Sequence, residues 1–332
     1  MTATLTLAPG ANAGDLQSRL QGLGLWSVIQ RTQDGQPGAI VLKAHSQRVP
    51  VSVLQDLPGV ATVLTSASAH PLLDAQSGAC VTLRRGDVCV EMGGDAPPVL
   101  AAGPCAVESE AQIEAAAKMV AQSGAQLLRG GAFKPRSSPY DFAGHGRPAL
   151  AWMRDAADAH GLLVVSEILS ERDVEAAAEW VDLVQVGSRN MSNFSLLRAL
   201  GSTGCTVLLK RGVAATLREW RLASEHALHA GAAGVVFCER GIKGFDPETR
   251  NPLDLAAVAV LRAEGHAVLV DPSHGVGRRD LIAPLSRAAI AVGASGLLLE
   301  AHPNARRALS DGAQALSPDE LTQLAKASLE AR

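Results

Sequence analysis

The sequence is poor in aromatic residues, which make up 3% of its 332 positions and include a single tyrosine, Tyr140. Stacking platforms for nucleic-acid bases are therefore not expected. An excess of basic charge is missing as well, since 30 Lys and Arg stand against 33 Asp and Glu, for a formal net charge of −3. Nucleic-acid surfaces normally carry net or locally clustered basic charge. The composition therefore predicts no nucleic-acid partner.

Long apolar runs and abundant cysteines are also missing. No segment approaches the roughly 18 consecutive apolar residues of a membrane span, and residues 1–5 lack the charged start and apolar stretch of a signal peptide. The five cysteines are odd in number and have no metal-finger spacing, which is typical of a reduced compartment. We expect a cytoplasmic protein without a membrane partner.

Two segments precede the main part of the chain. Residues 1–66 follow the order strand, helix, strand, strand, helix, strand, which is the split pattern of ferredoxin-like α+β domains. No catalytic residue types cluster there, so we interpret the segment as a regulatory or interaction domain, with a purely structural role as the alternative. Residues 67–95 begin with a stretch typical of a linker and continue with a hairpin around Gly86-Asp87, which could cap the next domain.

Residues 96–332 repeat one pattern, a short apolar strand followed by a helix. Eight strands are predicted, at residues 99–102, 126–129, 162–166, 183–186, 207–209, 235–238, 267–270 and 296–299. Buried parallel strands are continuous apolar runs, and eight such units over about 230 residues are typical of a (β/α)8 TIM barrel. A doubly wound open sheet is the alternative, but no GxGxxG motif follows the first strand. The predicted fold class is α/β, a TIM barrel preceded by a small ferredoxin-like α+β domain.

The loops after these strands carry the candidate chemistry, because TIM-barrel enzymes place their active sites at the carboxyl ends of the strands. Residues 129–138, after the second strand, combine two glycines, Pro135 and three cations. The cations that follow strands are Arg129, Lys134, Arg189, Lys210 and Arg240. Such a set could neutralise a ligand with both phosphate and carboxylate groups, since Arg binds them bidentately and Lys as a point charge. A solvated surface loop is the alternative at any one position.

A second group of strand ends offers metal ligands, in four separate loops: Cys105, His274, Glu300 and the later Asp311. A thiolate, an imidazole and two carboxylates suit a divalent first-row ion with one position left for water or substrate. A lone cysteine after a strand is more often a small buried hydrophobe, but the joint occurrence of these groups at one rim favours the metal site. His145 and His302 lie at the same rim without an assigned role.

Several segments of the barrel, taken in order, resemble one enzyme family. They include Gly103-Pro104-Cys105-Ala106, Lys134-Pro135-Arg136-Ser137 and Asp271-Pro272-Ser273-His274, within residues 102–109, 128–138, 185–191, 208–212, 238–242, 270–274 and 300–311. The chain resembles the 3-deoxy-D-arabino-heptulosonate 7-phosphate (DAHP) synthases of the class I beta branch, whose short barrel follows an N-terminal ferredoxin-like regulatory domain.

The resemblance implies a transferase, 3-deoxy-7-phosphoheptulonate synthase. Such an enzyme condenses phosphoenolpyruvate with D-erythrose 4-phosphate and water to give DAHP and phosphate, the first step of the shikimate pathway. The residues that match the family's metal ligands are Cys105, His274, Glu300 and Asp311, and the implied cofactor is a divalent ion such as Mn²⁺, Fe²⁺, Zn²⁺ or Co²⁺. The implied phosphoenolpyruvate contacts are Arg129, Lys134, Arg189, Lys210 and Arg240, with His274 beside them, and the implied erythrose 4-phosphate contacts are Arg136 and Ser137.

The predicted catalytic residues are Lys134, Cys105, His274 and Glu167. Lys134 would transfer a proton to the nascent alkoxide, and Glu167 would position the attacking water. The resemblance also implies an aromatic amino acid effector bound by residues 1–66, and we expect a homotetramer. Departures from the family's usual residues at 141–145, 214–215 and 243–244 affect loop conformation rather than the class of reaction.

Three alternative functions stay open. The sister enzyme 3-deoxy-D-manno-octulosonate 8-phosphate synthase uses arabinose 5-phosphate, but its loop tends to read Lys-Ala-Asn-Arg where this chain has Lys134-Pro135-Arg136. A Schiff-base aldolase would use Lys210 as its nucleophile. A ligand-sensing barrel would bind the same anions without turnover, although all four candidate metal ligands are present.

Overall fold

The computed structural model describes residues 3–32, 35–43, 49–65, 68–136 and 138–329. The chain divides after Ala69 into two compact units, a small one and a large one. Among the described residues no helix is both long and apolar enough to pass through a membrane.

The small unit has the predicted ferredoxin-like order of elements. These are β1 (Ala3–Leu7), α1 (Ala13–Gly22), β2 (Ser27–Arg31), β3 (Pro37–Leu42), α2 (Val51–Gln55) and β4 (Val60–Thr65). The strands form an antiparallel sheet in the order β2-β3-β1-β4. Leu16 and Leu20 of α1 pack with Leu5 and Ile40 of the sheet, so the core of this unit lies between the helix and the sheet.

A short helix and a hairpin begin the large unit. The helix α3 (Pro71–Ala75) lies in the segment where the sequence predicts a linker; it starts with a proline and buries Leu73. The hairpin is formed by β5 (Val81–Arg85) and β6 (Val88–Met92), as predicted. Leu83 and Met92 of the hairpin join one hydrophobic cluster with inward-facing residues of the barrel strands, such as Leu127. The hairpin therefore fills one end of the barrel.

A closed barrel of eight parallel strands follows. The strands are β7 (Val99–Gly103), β8 (Leu127–Arg129), β9 (Leu163–Glu167), β10 (Leu183–Val186), β11 (Thr206–Lys210), β12 (Gly234–Glu239), β13 (Val268–Val270) and β14 (Gly296–Glu300). β14 pairs with β7, with Leu297 opposite Leu100, and this pairing closes the sheet. The TIM-barrel prediction is confirmed, and the alternative of an open sheet is wrong.

Helices follow the strands in the alternating order of a TIM barrel. They are α4 (Glu110–Gln122), α5 (Arg147–Ala159), α6 (Val174–Trp180), α7 (Phe194–Gly201), α8 (Leu217–His229), α9 (Leu255–Ala263), α10 (Pro272–Val276), α11 (Arg279–Ala291) and α12 (Pro318–Leu329). Strand residues alternate between two apolar layers: Leu127 and Leu163 face the interior, whereas Leu128 and Val164 pack against the helices. Because both faces of the strands are apolar, polar side chains concentrate at the strand ends.

One glycine allows the first two strands to end close together. Gly103 has φ +147°, and a Cβ atom there would lie 2.1 Å from the carbonyl oxygen of Arg129. Any side chain would therefore push β7 away from β8. The close approach brings the loop that carries Cys105 against the end of the strand that carries Arg129.

A buried ion pair links helix α5 and the hairpin to the barrel strands. Asp182 lies just before β10, and its Oδ2 accepts hydrogen bonds from Arg154 Nη1 and from the backbone N–H of Val164, both at 2.7 Å. Its Oδ1 accepts a bond from Arg85 Nε of the hairpin, also at 2.7 Å. The side chains of Asp182 and Arg154 are only 5% and 6% exposed.

We expect Asp182→Asn to lower the free energy of unfolding by about 3–5 kcal/mol, because it leaves the buried guanidinium of Arg154 with only the exposed carboxylate of Asp158 as a counter-charge. The measurement is urea denaturation followed by circular dichroism. The matched control is Asp158→Asn, since Asp158 contacts the same arginine at 2.6 Å but is 57% exposed; its effect should stay below about 1 kcal/mol. Equal effects of the two substitutions would contradict the role given to Asp182.

Candidate active site

The carboxyl ends of the barrel strands surround a cavity of about 560 Å³. Its walls carry seven cationic side chains, those of Arg129, Lys134, Arg136, Arg189, Lys210, Arg240 and Arg250. The acidic residues in the walls are Glu167 and Asp311. The cavity is therefore strongly cationic, which favours a ligand with several negative charges.

Four donor groups come together at one side of this cavity. Cys105, His274, Glu300 and Asp311 each offer one ligand atom, and these atoms all lie within 4.8 Å of one another. The Cys105 Sγ is 3.1 Å from Asp311 Oδ2, and the His274 Nε2 is 3.0 Å from Glu300 Oε1. A thiolate, an imidazole and two carboxylates at these separations fit a divalent first-row ion. The sequence predicted this grouping from four separate loops.

The ring of His274 is oriented by Asp271. The His274 Nδ1 lies 2.8 Å from Asp271 Oδ2, so that Nε2 faces the other donors. Burial opposes protonation of the ring, but the carboxylates of Asp271 and Glu300 outweigh it and raise the pKa of His274 to about 10. A metal ion at Nε2 would take the place of that proton, so metal binding would release a proton.

Glu300 is the most enclosed of the four donors, with 1% of its side chain exposed. Burial raises the pKa of this carboxyl group, but the opposing charges of His274 and Arg129 lower it well below its usual range. The Arg129 Nη1 donates to Glu300 Oε1 at 3.0 Å, and Gln314 Nε2 donates to Oε2. The carboxylate is thus ionised and fixed in position before any ligand arrives.

Lys134 stands between the donor cluster and the rest of the cavity. Its Nζ lies 2.8 Å from the carbonyl oxygen of Cys105 and 2.9 Å from the Cys105 Sγ. Gly131 makes room for it, since a Cβ atom at Gly131 would come within 2.9 Å of Lys134 Cδ. Lys134 therefore contacts the candidate metal site at Cys105, as Arg129 does at Glu300.

Two further cations are held by polar side chains from other loops at this end of the barrel. The Lys210 Nζ donates to Asp271 Oδ2 at 2.5 Å, in a pair that is almost completely buried. The Arg240 Nη1 is 2.9 Å from the side-chain oxygen of Asn251 when that amide is oriented to donate to the carbonyl of Arg250. Both cations line the cavity with their positions already fixed.

Two more of the predicted cations line the same cavity and contact backbone carbonyls. The Arg189 Nη1 donates to the carbonyl of Pro135 at 2.6 Å, and the Arg136 Nε donates to the carbonyl of Phe142 at 2.9 Å. The structure therefore places these cations in the wall with Lys134. Ser137, which the sequence also predicts as a substrate contact, lies outside the described residues.

Glu167 lines the cavity, and its carboxylate is held by its neighbours. Gln185 Nε2 donates to Glu167 Oε2 at 3.3 Å. Gly187 leaves the space for Glu167, because a Cβ atom there would lie 1.9 Å from Glu167 Oε1. The carboxylate is thus the acidic group on the side of the cavity that includes Arg189.

Three of the site residues that were not predicted lie beside the donor cluster. Asp271, Gln314 and Arg250 hold or surround the donor cluster, and Arg250 Nη2 donates to Gln314 Oε1 at 2.9 Å. Asp271 could have been found, since an Asp followed by a proline is a typical helix N-cap, and its Oδ1 accepts from the His274 N–H at 2.9 Å. Arg250 and Gln314 gave no such signal, because they lie in loops without a periodic pattern.

The fold and the site together define a TIM-barrel protein with a cationic cavity beside a candidate metal centre. Comparison with known families is consistent with this class. The chain belongs to the DAHP synthetase I family, whose sequence profile matches residues 74–332.

Two curated proteins and one crystal structure are similar to this chain over most of its length. A phospho-2-dehydro-3-deoxyheptonate aldolase from Thermotoga maritima is 38% identical over 318 residues, which cover 94% of this chain and 92% of that protein. The crystal structure of a DAHP synthase from the same organism is 37% identical with a TM-score of 0.75, covering 98% of this chain and 96% of the other. A 2-dehydro-3-deoxyphosphooctonate aldolase from Syntrophotalea carbinolica is 34% identical over 266 residues, 74% of this chain and 94% of that protein.

Proposed function

We propose that this chain condenses phosphoenolpyruvate with D-erythrose 4-phosphate and water, giving DAHP and phosphate, with a divalent metal ion as cofactor. The observation that carries the proposal is the cavity whose seven cations adjoin the four-donor cluster. One phosphate, one carboxylate and a second sugar phosphate need several separate cations, and an aldehyde needs an electrophilic partner. The cavity offers groups for each.

The proposed phosphoenolpyruvate contacts are Arg129, Lys134, Arg189, Lys210 and Arg240, with His274 beside them. Four cations in the wall make no ion pair with a carboxylate among the described residues, namely Lys134, Arg136, Arg189 and Arg240. They contact backbone carbonyls, the Cys105 sulfur or the Asn251 amide instead. Their charge is therefore not cancelled by the protein and is left for the substrates.

Erythrose 4-phosphate would bind with its phosphate at Arg136 and Ser137. Arg136 follows Lys134 by two residues, and its side chain is braced by the carbonyl of Phe142. With the phosphate held there, the aldehyde at the other end of erythrose 4-phosphate would point towards Lys134 and the donor cluster.

The donor cluster would hold the cofactor through Cys105, His274, Glu300 and Asp311. A divalent ion bound there would polarise the aldehyde oxygen as a Lewis acid. The native ion is one of Mn²⁺, Fe²⁺, Zn²⁺ or Co²⁺, all of which accept nitrogen, sulfur and oxygen ligands.

The reaction then proceeds in three steps that the side chains can support. The C3 atom of phosphoenolpyruvate forms a bond to the aldehyde carbon, positive charge develops at C2, and Lys134 gives a proton to the new alkoxide. Water held by Glu167 adds to C2 and loses a proton to that carboxylate. The C2–O bond to the phosphate breaks as the new hydroxyl loses its proton, and phosphate leaves with the electron pair. The cations hold both phosphates and stabilise the moving charge.

The alternatives are less well supported. A Schiff base at Lys210 would have to break its buried ion pair with Asp271. An octulosonate synthase is supported by a relative that matches 74% of this chain, whereas the heptonate relative matches 94% of it. An effector site in residues 1–66, a homotetramer and a cytoplasmic location stay predictions.

Substrate choice tests the proposal against its nearest rival. We expect phosphate release with erythrose 4-phosphate to exceed that with arabinose 5-phosphate by at least about tenfold in kcat/KM, or about 1.4 kcal/mol. The assay contains phosphoenolpyruvate and added Mn²⁺. Arg136→Ala should raise the KM for the aldose phosphate while leaving that for phosphoenolpyruvate unchanged, and Arg306→Ala, at an exposed position outside the cavity walls, is the control. A preference for arabinose 5-phosphate would reject the proposal.

Lys134→Met tests the proton transfer. Methionine keeps the length of the side chain without its proton or charge, so we expect kcat to fall by about 10²–10⁴-fold at saturating substrates. Steady-state kinetics distinguish this from a pure binding role, which would raise KM for phosphoenolpyruvate and leave kcat intact. Lys243→Met is the matched control, because Lys243 is exposed and lies outside the cavity wall. Near-normal turnover by Lys134→Met would exclude the lysine as the proton donor.

Binding of Co²⁺ tests the metal site without relying on activity. A thiolate ligand gives a sulfur-to-cobalt charge-transfer band, so the wild-type protein should show this band and Cys105→Ser should not. Cys89→Ser is the control and should retain the band, because Cys89 is exposed on the hairpin. A band that persists in Cys105→Ser would show that the metal lies elsewhere.

A further inference from the structure

The backbone of Asp311 adopts a conformation that needs support from its surroundings. Among the described residues it is the only non-glycine residue with positive φ, at 52°. This left-handed region costs an L-residue about 1–2 kcal/mol, less for Asp than for most. Its carboxylate must nevertheless stay near Cys105, whose Sγ is 3.1 Å from Asp311 Oδ2. The loop therefore requires an anchor close to Asp311.

Glu108 supplies a side-chain anchor to this loop. Its Oε1 accepts a hydrogen bond from the backbone N–H of Leu309 at 2.7 Å, two residues before Asp311. The Leu309 side chain is 58% exposed, so hydrophobic packing does not hold this point of the loop. The Glu108 side chain itself is only 13% exposed. A charge-assisted bond in such surroundings is stronger than one between neutral groups.

The backbone segment that carries Glu108 is held at the rim of the barrel. Val107 N–H donates to the carbonyl of Gly131 at 3.0 Å, which ties this segment to the end of β8. The segment follows Cys105 directly. Glu108 therefore connects the rim segment that follows Cys105, one of the four donors, to the loop that carries Asp311, another of them.

His302 orients the second oxygen of the same carboxylate. This histidine is 5% exposed, and its Nδ1 accepts from the backbone N–H of Asn304 at 2.9 Å. The ring proton is thus on Nε2, which makes no hydrogen bond within the described residues and lies 3.7 Å from Glu108 Oε2. The attraction between this N–H and the carboxylate keeps Oε1 turned towards Leu309.

We infer that Glu108 is a positioning residue that holds Asp311 in the four-donor cluster through the Leu309 N–H. The inference rests on the proposed metal-dependent function. Outer residues that orient metal ligands affect metal affinity by about 10–100-fold when they are replaced. The carbonyl of Glu108 also accepts from His145 Nε2 at 3.0 Å, but side-chain substitutions leave that bond intact, so the loop near Arg136 should not change.

Metal affinity measured directly tests this role. We expect Glu108→Ala to weaken Mn²⁺ binding by about 10–100-fold, as counted by electron paramagnetic resonance of free Mn²⁺. Glu108→Gln should recover part of the affinity, because its amide oxygen can still accept from the Leu309 N–H, although its NH2 group then faces the Nε2–H of His302. Glu108→Asp, which keeps the charge but is one methylene shorter, should lose affinity. At saturating Mn²⁺ the KM for both substrates should match that of the wild type.

Glu114→Ala removes an exposed acid on α4 that pairs with His160, and it should leave Mn²⁺ affinity unchanged. If the wild type binds Mn²⁺ and both Glu108→Ala and Glu108→Asp bind it equally well, the role of Glu108 is wrong while the metal site stands. If the wild type binds no Mn²⁺, Co²⁺, Fe²⁺ or Zn²⁺, both the metal site and the role of Glu108 are wrong. Should Glu108→Ala fail to fold, the comparison of Glu108→Asp with Glu108→Gln decides.

Discussion

The carboxylate of Asp271 is the interaction on which the geometry of the site depends. It is fully buried at the end of β13 and accepts bonds from Lys210 and from both the ring and the backbone of His274. A buried carboxylate without such partners would cost several kcal/mol. Burial raises the pKa of Asp271, but the charges of His274 and Lys210 outweigh it and hold the pKa well below its usual range. One group thus fixes a cation from β11 and the candidate metal ligand that follows β13.

From His274 the network of buried ion pairs continues to the ends of two further strands. Its Nε2 meets Glu300 at the end of β14, and Glu300 meets Arg129 at the end of β8. The charges alternate along this path, so each buried group is compensated by the next. This path of alternating charges exists because the barrel is closed: β14 pairs with β7, and β7 pairs with β8. Without the pairing of β14 with β7, those two strands would be opposite edges of an open sheet, the ends of β8 and β14 would lie far apart, and the donor cluster could not form.

The sequence predicted elements and ligand types better than it predicted the contacts between them. Apolar strands with polar ends predicted the barrel and its rim, and four donor residues of three types predicted the cluster of Cys105 and its partners. The proline after Asp271 marks it as a helix N-cap, but its contacts with Lys210 and the His274 ring depend on burial, which a motif does not reveal. Glu108 was missed for a related reason: its partner, the Leu309 N–H, is 201 residues away in the chain and is a backbone group. Every residue has such a group, so no side-chain pattern marks it.

The charge distribution implies that metal and substrate binding support each other in the proposed reaction. Arg129 and Lys210 each face a buried carboxylate, which reduces the positive charge that they offer to a ligand. A divalent ion among the four donors would offset the charge of Glu300 and leave Arg129 more available to an anionic substrate. The cavity would then be more cationic when the substrates arrive, and substrate anions would in turn favour the bound ion. Such coupling is reciprocal by necessity, because a free energy that links two sites acts equally on both.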